Sequence, residues 1–323
     1  MSTDGKNTSG YDARFYLEDL IGGQKIQIDE HQYASLSDAL DTIVSIIDIE
    51  EAFQVFAESA IRFEKDLLDV IFEYTYYDTR SRNYDFFFDS ARQRFNVNVL
   101  TVLTAYKSYD EHCARILKSL ISSPVAHQYN SEIRAKAYDA NLSYRICDQL
   151  RNYAQHRALP LGGLSIGGKS NMIQDTDGKY IKLDAGYNVS PWLNVMTLTG
   201  WSKCKPAIQT ELKNLCCEKI DMKWLVRSFA SAMYDRHNSL REYLTLDIDA
   251  ACDEISRGYQ FAHSINESES KFLNLCSDDN CRPMKSDLGA VLKSMSSACR
   301  SLKSAENIYV TSRIVRDEKV YAG

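Results

Sequence analysis

Arg151 and His156 stand five positions apart at the end of a strongly patterned stretch, Leu150-Arg151-Asn152-Tyr153-Ala154-Gln155-His156-Arg157-Ala158-Leu159-Pro160. Histidine titrates near neutrality and can take or give a proton, while arginine stays cationic and forks onto phosphate oxygens. Such a pair suits cleavage of an RNA phosphodiester without a metal. The ribose 2'-hydroxyl loses its proton and attacks the adjacent phosphorus, the guanidinium stabilises the charge of the transition state, and the products carry 2',3'-cyclic phosphate and 5'-hydroxyl ends. Five residues at 100° each set the two side chains about 140° apart on an ideal helix. One helix therefore does not aim both at one phosphate, unless it frays after Gln155 or two copies of the chain pair about a two-fold axis.

A positive patch is also needed, because the whole chain has a net charge of -6 and does not attract a polyanion everywhere. Between Ser131 and Lys182, eight basic residues face five acidic ones, a local excess of three. Arg145, Arg157 and Lys169 within it are candidate RNA contacts, although a solvated surface is the commoner place for such charges.

The elements that carry these residues are mostly helical. Apolar residues recur at three- and four-residue intervals from Ser35 to Tyr76 (Leu36, Leu40, Ile43, Ile47, Phe53, Phe56), which predicts amphipathic helices starting at Ser35 or Ser37. A polar break at Asp78 to Asp85 precedes a second helical run, Phe86 to Leu120, closed by Ser122-Ser123-Pro124. The third run, Ser131 to His156, is expected to bury Tyr138, Leu142, Ile146, Leu150 and Tyr153. After Pro160 the texture changes to a glycine-rich β insertion over about 161–200, with Asp177-Gly178 as a hairpin turn. Helical periodicity returns from Ala207 to Ile265, with Pro206 well placed at a helix start, and again over Ser286 to Ala305, and the sequence allows a terminal strand in 307–320. Residues 1–10 read as a disordered tail and 11–323 as one composite helical domain with a core over about 35–265.

With that frame, Arg151-Asn152-Tyr153-Ala154-Gln155-His156 resembles the R-x4-6-H signature of the HEPN superfamily, including the polar residue directly after the arginine. The resemblance implies a helical bundle, commonly a homodimer with its two motifs facing a shared cleft, and in many members a metal-independent ribonuclease of toxin, antiphage or CRISPR-associated systems. It implies that Arg151 and His156 are catalytic and that Asn152 supports them. It also allows an antitoxin or other defence-system protein as partner, and a non-catalytic module that binds nucleotides or proteins. The β insertion is not part of the minimal bundle.

Other patterns compete. Gly163 to Ser170 fits G-x-x-x-x-G-K-[ST], but a phosphate-cradling loop needs a buried strand before it and a helix after it, and here it follows a helix and precedes a hairpin. Arg257 and His263 repeat the arginine-histidine pattern with Gly258 in place of the polar residue. Cys276 and Cys281 enclose four residues and Cys216-Cys217 are adjacent; neither has C-x2-C spacing, and no histidine sits at ligand distance, so no metal and no cofactor is expected. Asp175-Thr176-Asp177-Gly178 is a turn rather than a calcium loop. Nine cysteines, an odd number, fit a reducing compartment better than a disulfide framework. With no apolar run of membrane-spanning length and no leader-like start, the expected place is the cytoplasm.

Overall fold

Asp29 begins the first long helix by a reciprocal cap: its Oδ1 accepts the backbone N–H of Gln32 at 2.7 Å, and Gln32 Oε1 accepts the N–H of Asp29 at 3.1 Å. In the computed structural model the resulting helix, α1 (Glu30–Tyr76), is one element of 47 residues, beginning before both expected starts, Ser35 and Ser37. Its stripe, Leu36, Leu40, Ile43, Ile46, Ile49, Phe53, Phe56, Phe63, Leu67 and Val70, is buried along the whole length. The structure describes residues 14–21, 23–76, 84–120, 129–174, 176–266 and 272–301. The expected disordered tail at 1–10, the terminal strand in 307–320, most of the break before Asp85 and Ser122 to Pro124 lie outside them.

The fold is mainly helical and bundle-like, with two small antiparallel sheets among the described residues. Helix α2 (Tyr84–Leu120) covers the second predicted run. The third is broken. A π-helical turn, Asn130–Arg134, leads into α3 (Ala135–Ala140), and Asn141 then adopts an extended conformation (φ -121, ψ 112) before α4 (Leu142–His156). The Asn141 amide donates to the Ala137 carbonyl at 2.9 Å, the local side-chain bonding by which asparagine competes with a continuing helix. Two strands, β3 (Gly163–Gln174) and β4 (Tyr180–Asn194), make the expected hairpin, with Gly178 in its turn at φ +78.

Short helices α5 (Val195–Thr199) and α6 (Pro206–Asn214) follow, the latter with proline in its first turn. The chain then reverses through Cys216, which has a positive φ of 52, and strand β5 (Lys219–Asp221) pairs with β4. That strand interrupts the periodicity read as continuous from Ala207. Asp221 Oδ1 accepts the N–H of Lys223 at 2.7 Å and so caps α7 (Met222–Asn266), a single helix of 45 residues.

The chain divides into two units, one from Met1–Glu50 with Glu242–Cys299 and the other from Glu51–Arg241 with Arg300–Gly323. In the first, β1 (Phe15–Asp19) and β2 (Lys25–Gln27) join a hairpin that the sequence reading missed, β6 (Phe272–Ser277) and β7 (Cys281–Lys285), in the order β2-β1-β6-β7. Leu17, Ile26, Leu273, Leu275 and Met284 are buried in this sheet. Gly258 is there for packing: a Cβ at that position would lie 2.8 Å from Leu36 Cδ2. The last described helix is α8 (Leu288–Ser301).

In the second unit α2, α4 and the first part of α7 share an aromatic core. Tyr106, Tyr144 and Phe229 meet edge to face with centroids 5.1–5.4 Å apart.

Candidate active site

Helix α4 carries the arginine-histidine motif, and its buried face is Ser143, Tyr144, Ile146, Cys147, Gln149 and Leu150. Tyr138, Leu142 and Tyr153, expected in the core, are only half-buried; Tyr138 lies before the break at Asn141, and Leu142 and Tyr153 flank the buried Ile146 and Leu150 towards the two ends of α4. Burying three large apolar side chains in such a face contributes roughly 1.5–3 kcal/mol each, so α4 is anchored rather than loosely attached.

Polar partners fix its rotation and ends. The Tyr144 hydroxyl accepts from Arg236 Nη1 at 2.8 Å. Gln149 Oε1 accepts the backbone N–H of Lys205 at 3.2 Å, and Asp148 forms an ion pair with Lys205 Nζ at 3.7 Å. Lys205 also donates to the Tyr138 hydroxyl, and that bond is the main cause of its raised pKa. Beyond the helix, Asn96 Oδ1 accepts the N–H of Leu161 at 3.1 Å and ties down the exit towards β3.

Arg236 is the centre of a buried network that the sequence reading did not identify. Its guanidinium is 2.9 Å from Asp110, and Arg134 approaches the same carboxylate at 2.8 Å. Burial alone would favour neutral Arg236, but Tyr144, Tyr129, Tyr109 and Asp110 outweigh that and hold its pKa well above the usual value. Beside it, His237 stacks on Phe53 with centroids 3.8 Å apart and shares a hydrogen bond with Tyr109 at 2.9 Å. Tyr106 and Tyr109 are buried, whereas His112 is exposed.

At the motif itself, Arg151 Nη1 donates to Asn152 Oδ1 at 3.3 Å, and both side chains are half-buried. Asn152 and His156 are four residues apart and so lie on one side of the helix, and His156 is exposed. The arrangement presents a cation, an amide and an imidazole along the last turns of an anchored helix. Fraying does not bring Arg151 and His156 together, because the helix runs through His156 and the Arg157 N–H still donates to the Tyr153 carbonyl at 2.8 Å.

The remaining candidates are dispersed. Arg157 is exposed at the helix end. Arg145 is engaged: it donates to Glu211 Oε2 at 3.1 and 3.0 Å and to the Tyr138 and Asp139 carbonyls. Lys169 lies within β3 opposite Gly186. The whole segment Gly163 to Ser170 is strand, so it does not form a phosphate-cradling loop. Gly162 and Gly163 have another use, since a Cβ on either would fall 2.4 Å from the Trp192 ring. Arg257 is exposed and bonded to Glu254.

No protein-family model, no curated protein and no solved structure matches this chain. No described helix is long and apolar enough to cross a membrane.

Proposed function

We propose that the protein is a metal-independent RNA endonuclease of HEPN type that works as a homodimer, a chemistry suited to a toxin or antiphage effector. The observation that carries this reading is the motif helix: Arg151 touches Asn152, and His156 is exposed one turn further on. Because α4 stays regular to its end, a single copy leaves the guanidinium and the imidazole on different sides. A second copy related by a two-fold axis supplies the missing partner, Arg151 of one chain facing His156 of the other across a bound ribose phosphate. The imidazole then moves the proton of the 2'-hydroxyl or of the leaving oxygen, and the guanidinium forks onto the phosphate. Asn152 positions Arg151 through its carbonyl oxygen, and Arg157, at the helix end, contacts the RNA backbone.

The test is cleavage of RNA by the purified protein in EDTA. Arg151→Ala and His156→Ala are each expected to lower the rate by about 10²–10⁴ while leaving the melting temperature unchanged, since neither side chain is fully buried. Cleavage that persists in both variants removes the assignment. Absence of turnover in the wild-type protein favours a non-catalytic HEPN-like binding module instead.

A further inference from the structure

Strands β1, β6 and β7 bring Glu18, Cys276 and Cys281 to one place. Cys276 lies directly opposite Cys281 on one side and Tyr16 on the other, and Glu18 is two residues along β1 from Tyr16. Directly paired residues, and residues two apart, project from the same face of a sheet. Glu18 Oε2 is 3.8 Å from Cys276 Sγ and 4.0 Å from Cys281 Sγ, and the three donor atoms all lie within 4.8 Å of one another. Cys276 is fully buried and Cys281 is exposed, so the cluster has a closed side and an open one. The two sulfurs are joined as a disulfide in the structure, with Cα atoms 4.1 Å apart.

The position of the carboxylate is what a disulfide alone does not account for. A disulfide carries no charge and no S–H to donate, yet Glu18 sits against both sulfurs and makes no ion pair among the described residues. Lys25, opposite Glu18 in the β1–β2 register, is turned onto Tyr16, with its Nζ 3.2 Å from the hydroxyl and 4.2 Å from the ring centroid.

We propose that, once the disulfide is reduced, Cys276, Cys281 and Glu18 bind a thiophilic divalent cation, with zinc as the physiological case. Tetrahedral zinc with bonds of roughly 2.3 Å to sulfur and 2.1 Å to oxygen needs sulfurs about 3.8 Å apart and each sulfur about 3.6 Å from the oxygen. The Glu18 oxygen already stands close to that spacing. Facing cysteines on paired strands reach it by side-chain rotation, without strand movement. Two thiolates and a carboxylate fill three positions and leave the fourth open to water on the Cys281 side. Binding and oxidation exclude each other. One hydrogen peroxide and two protons convert the two metal-bound thiolates to the disulfide, two waters and the released cation.

The spacing of the cysteines does not reveal this site, because Glu18 lies 258 positions from Cys276 in sequence. The experiment uses the full chain, reduced with a phosphine, desalted without air and titrated with Cd²⁺ while the ultraviolet thiolate-to-metal charge-transfer band is recorded. Zn²⁺ affinity is then read by competition with a chromophoric chelator. One equivalent is expected to bind, and one equivalent of hydrogen peroxide releases it. Because Cys276 is buried, the deciding variant is the exposed Cys281→Ser, checked for fold by circular dichroism; it loses the band, and Glu18→Gln weakens binding tenfold or more. A band that survives Cys281→Ser but disappears in the Cys216→Ser, Cys217→Ser double variant overturns the proposal, as does unchanged affinity in Glu18→Gln or no binding by the reduced protein.

Discussion

Asp110→Asn removes one negative charge from the centre of the network that orients α4. The Asp110 and Arg236 side chains are 3% and 0% exposed and their charged atoms are 2.9 Å apart. Arg134 shares the same carboxylate at 2.8 Å, and Lys107 approaches it at 3.7 Å. After the substitution Arg236 stays buried and cationic, held by the Tyr144 hydroxyl but no longer neutralised. Breaking such a pair on one side costs about 3–5 kcal/mol, against a total of roughly 5–15 kcal/mol for a folded domain. For a unit the size of Glu51–Arg241 this corresponds to a fall of about 6–20 °C in melting temperature. The assay is urea unfolding followed by circular dichroism, with Asp110→Asn, Arg236→Met and the double variant compared in one buffer. Adding Arg236→Met to Asp110→Asn is expected to recover part of the loss, since it removes the uncompensated charge. A single-variant cost under about 1 kcal/mol, or fully additive losses in the double variant, refutes the view that this pair is a buried, coupled unit.

Two further outcomes rest on the buried titratable groups, and a third on the proposed dimer. Burial pushes the Cys113 thiol up to about 11 and raises Cys147 well above its usual value, so iodoacetamide is expected to label exposed Cys216 first in the native protein and to reach Cys113 and Cys147 only on unfolding, as mass spectrometry would show; early native labelling of Cys113 or Cys147 contradicts this. Desolvation raises Asp221 above 3.8 in spite of Lys223, so the folded chain holds this proton more tightly than the unfolded one. The stabilisation is complete below the unfolded value and declines as pH rises through the folded one. The stability of wild type minus Asp221→Asn, from urea unfolding, should therefore fall as the pH is raised above 3.8, and a rise would show a carboxylate governed by its ion pair. Mixing inactive Arg151→Ala and His156→Ala proteins in equal amounts should restore about a quarter of wild-type RNA cleavage, because half of the dimers are mixed and each holds one intact cross-chain centre of two; no recovery after verified subunit exchange rejects the shared centre.

The helical character, the hairpin after Pro160 and the proline-led start of α6 were legible because each depends on local signals: periodicity, a turn pair or a helix-end residue. The break at Asn141 was not, since the apolar pattern on both sides suits a helix and the break shows only in the extended backbone of Asn141 and its side-chain bond to Ala137. Nor were β6 and β7, whose first strand pairs with β1 from the other end of the chain. Of the candidate site, the helix carrying Arg151, Asn152 and His156 could be read directly from residue types and spacing. Arg145 could not be told from an RNA contact, because its partner Glu211 is 66 residues away. Gly163 to Ser170 matched the phosphate-loop pattern although its context argued against one, and the pattern does not record that Trp192 covers Gly163. The buried Asp110 and Arg236 left no mark in sequence beyond two charges on otherwise apolar helix faces.

The central claim is that Arg151 and His156 cut RNA through its own 2'-hydroxyl, and the ends of the products test it most directly. Incubated with a single-stranded RNA in EDTA, the wild-type protein is expected to leave 2',3'-cyclic phosphate and 5'-hydroxyl ends, to spare the 2'-O-methylated copy of the same RNA, and to lose both products in His156→Ala. Cleavage of the methylated RNA, 3'-hydroxyl ends, or an undiminished rate in His156→Ala would contradict the account.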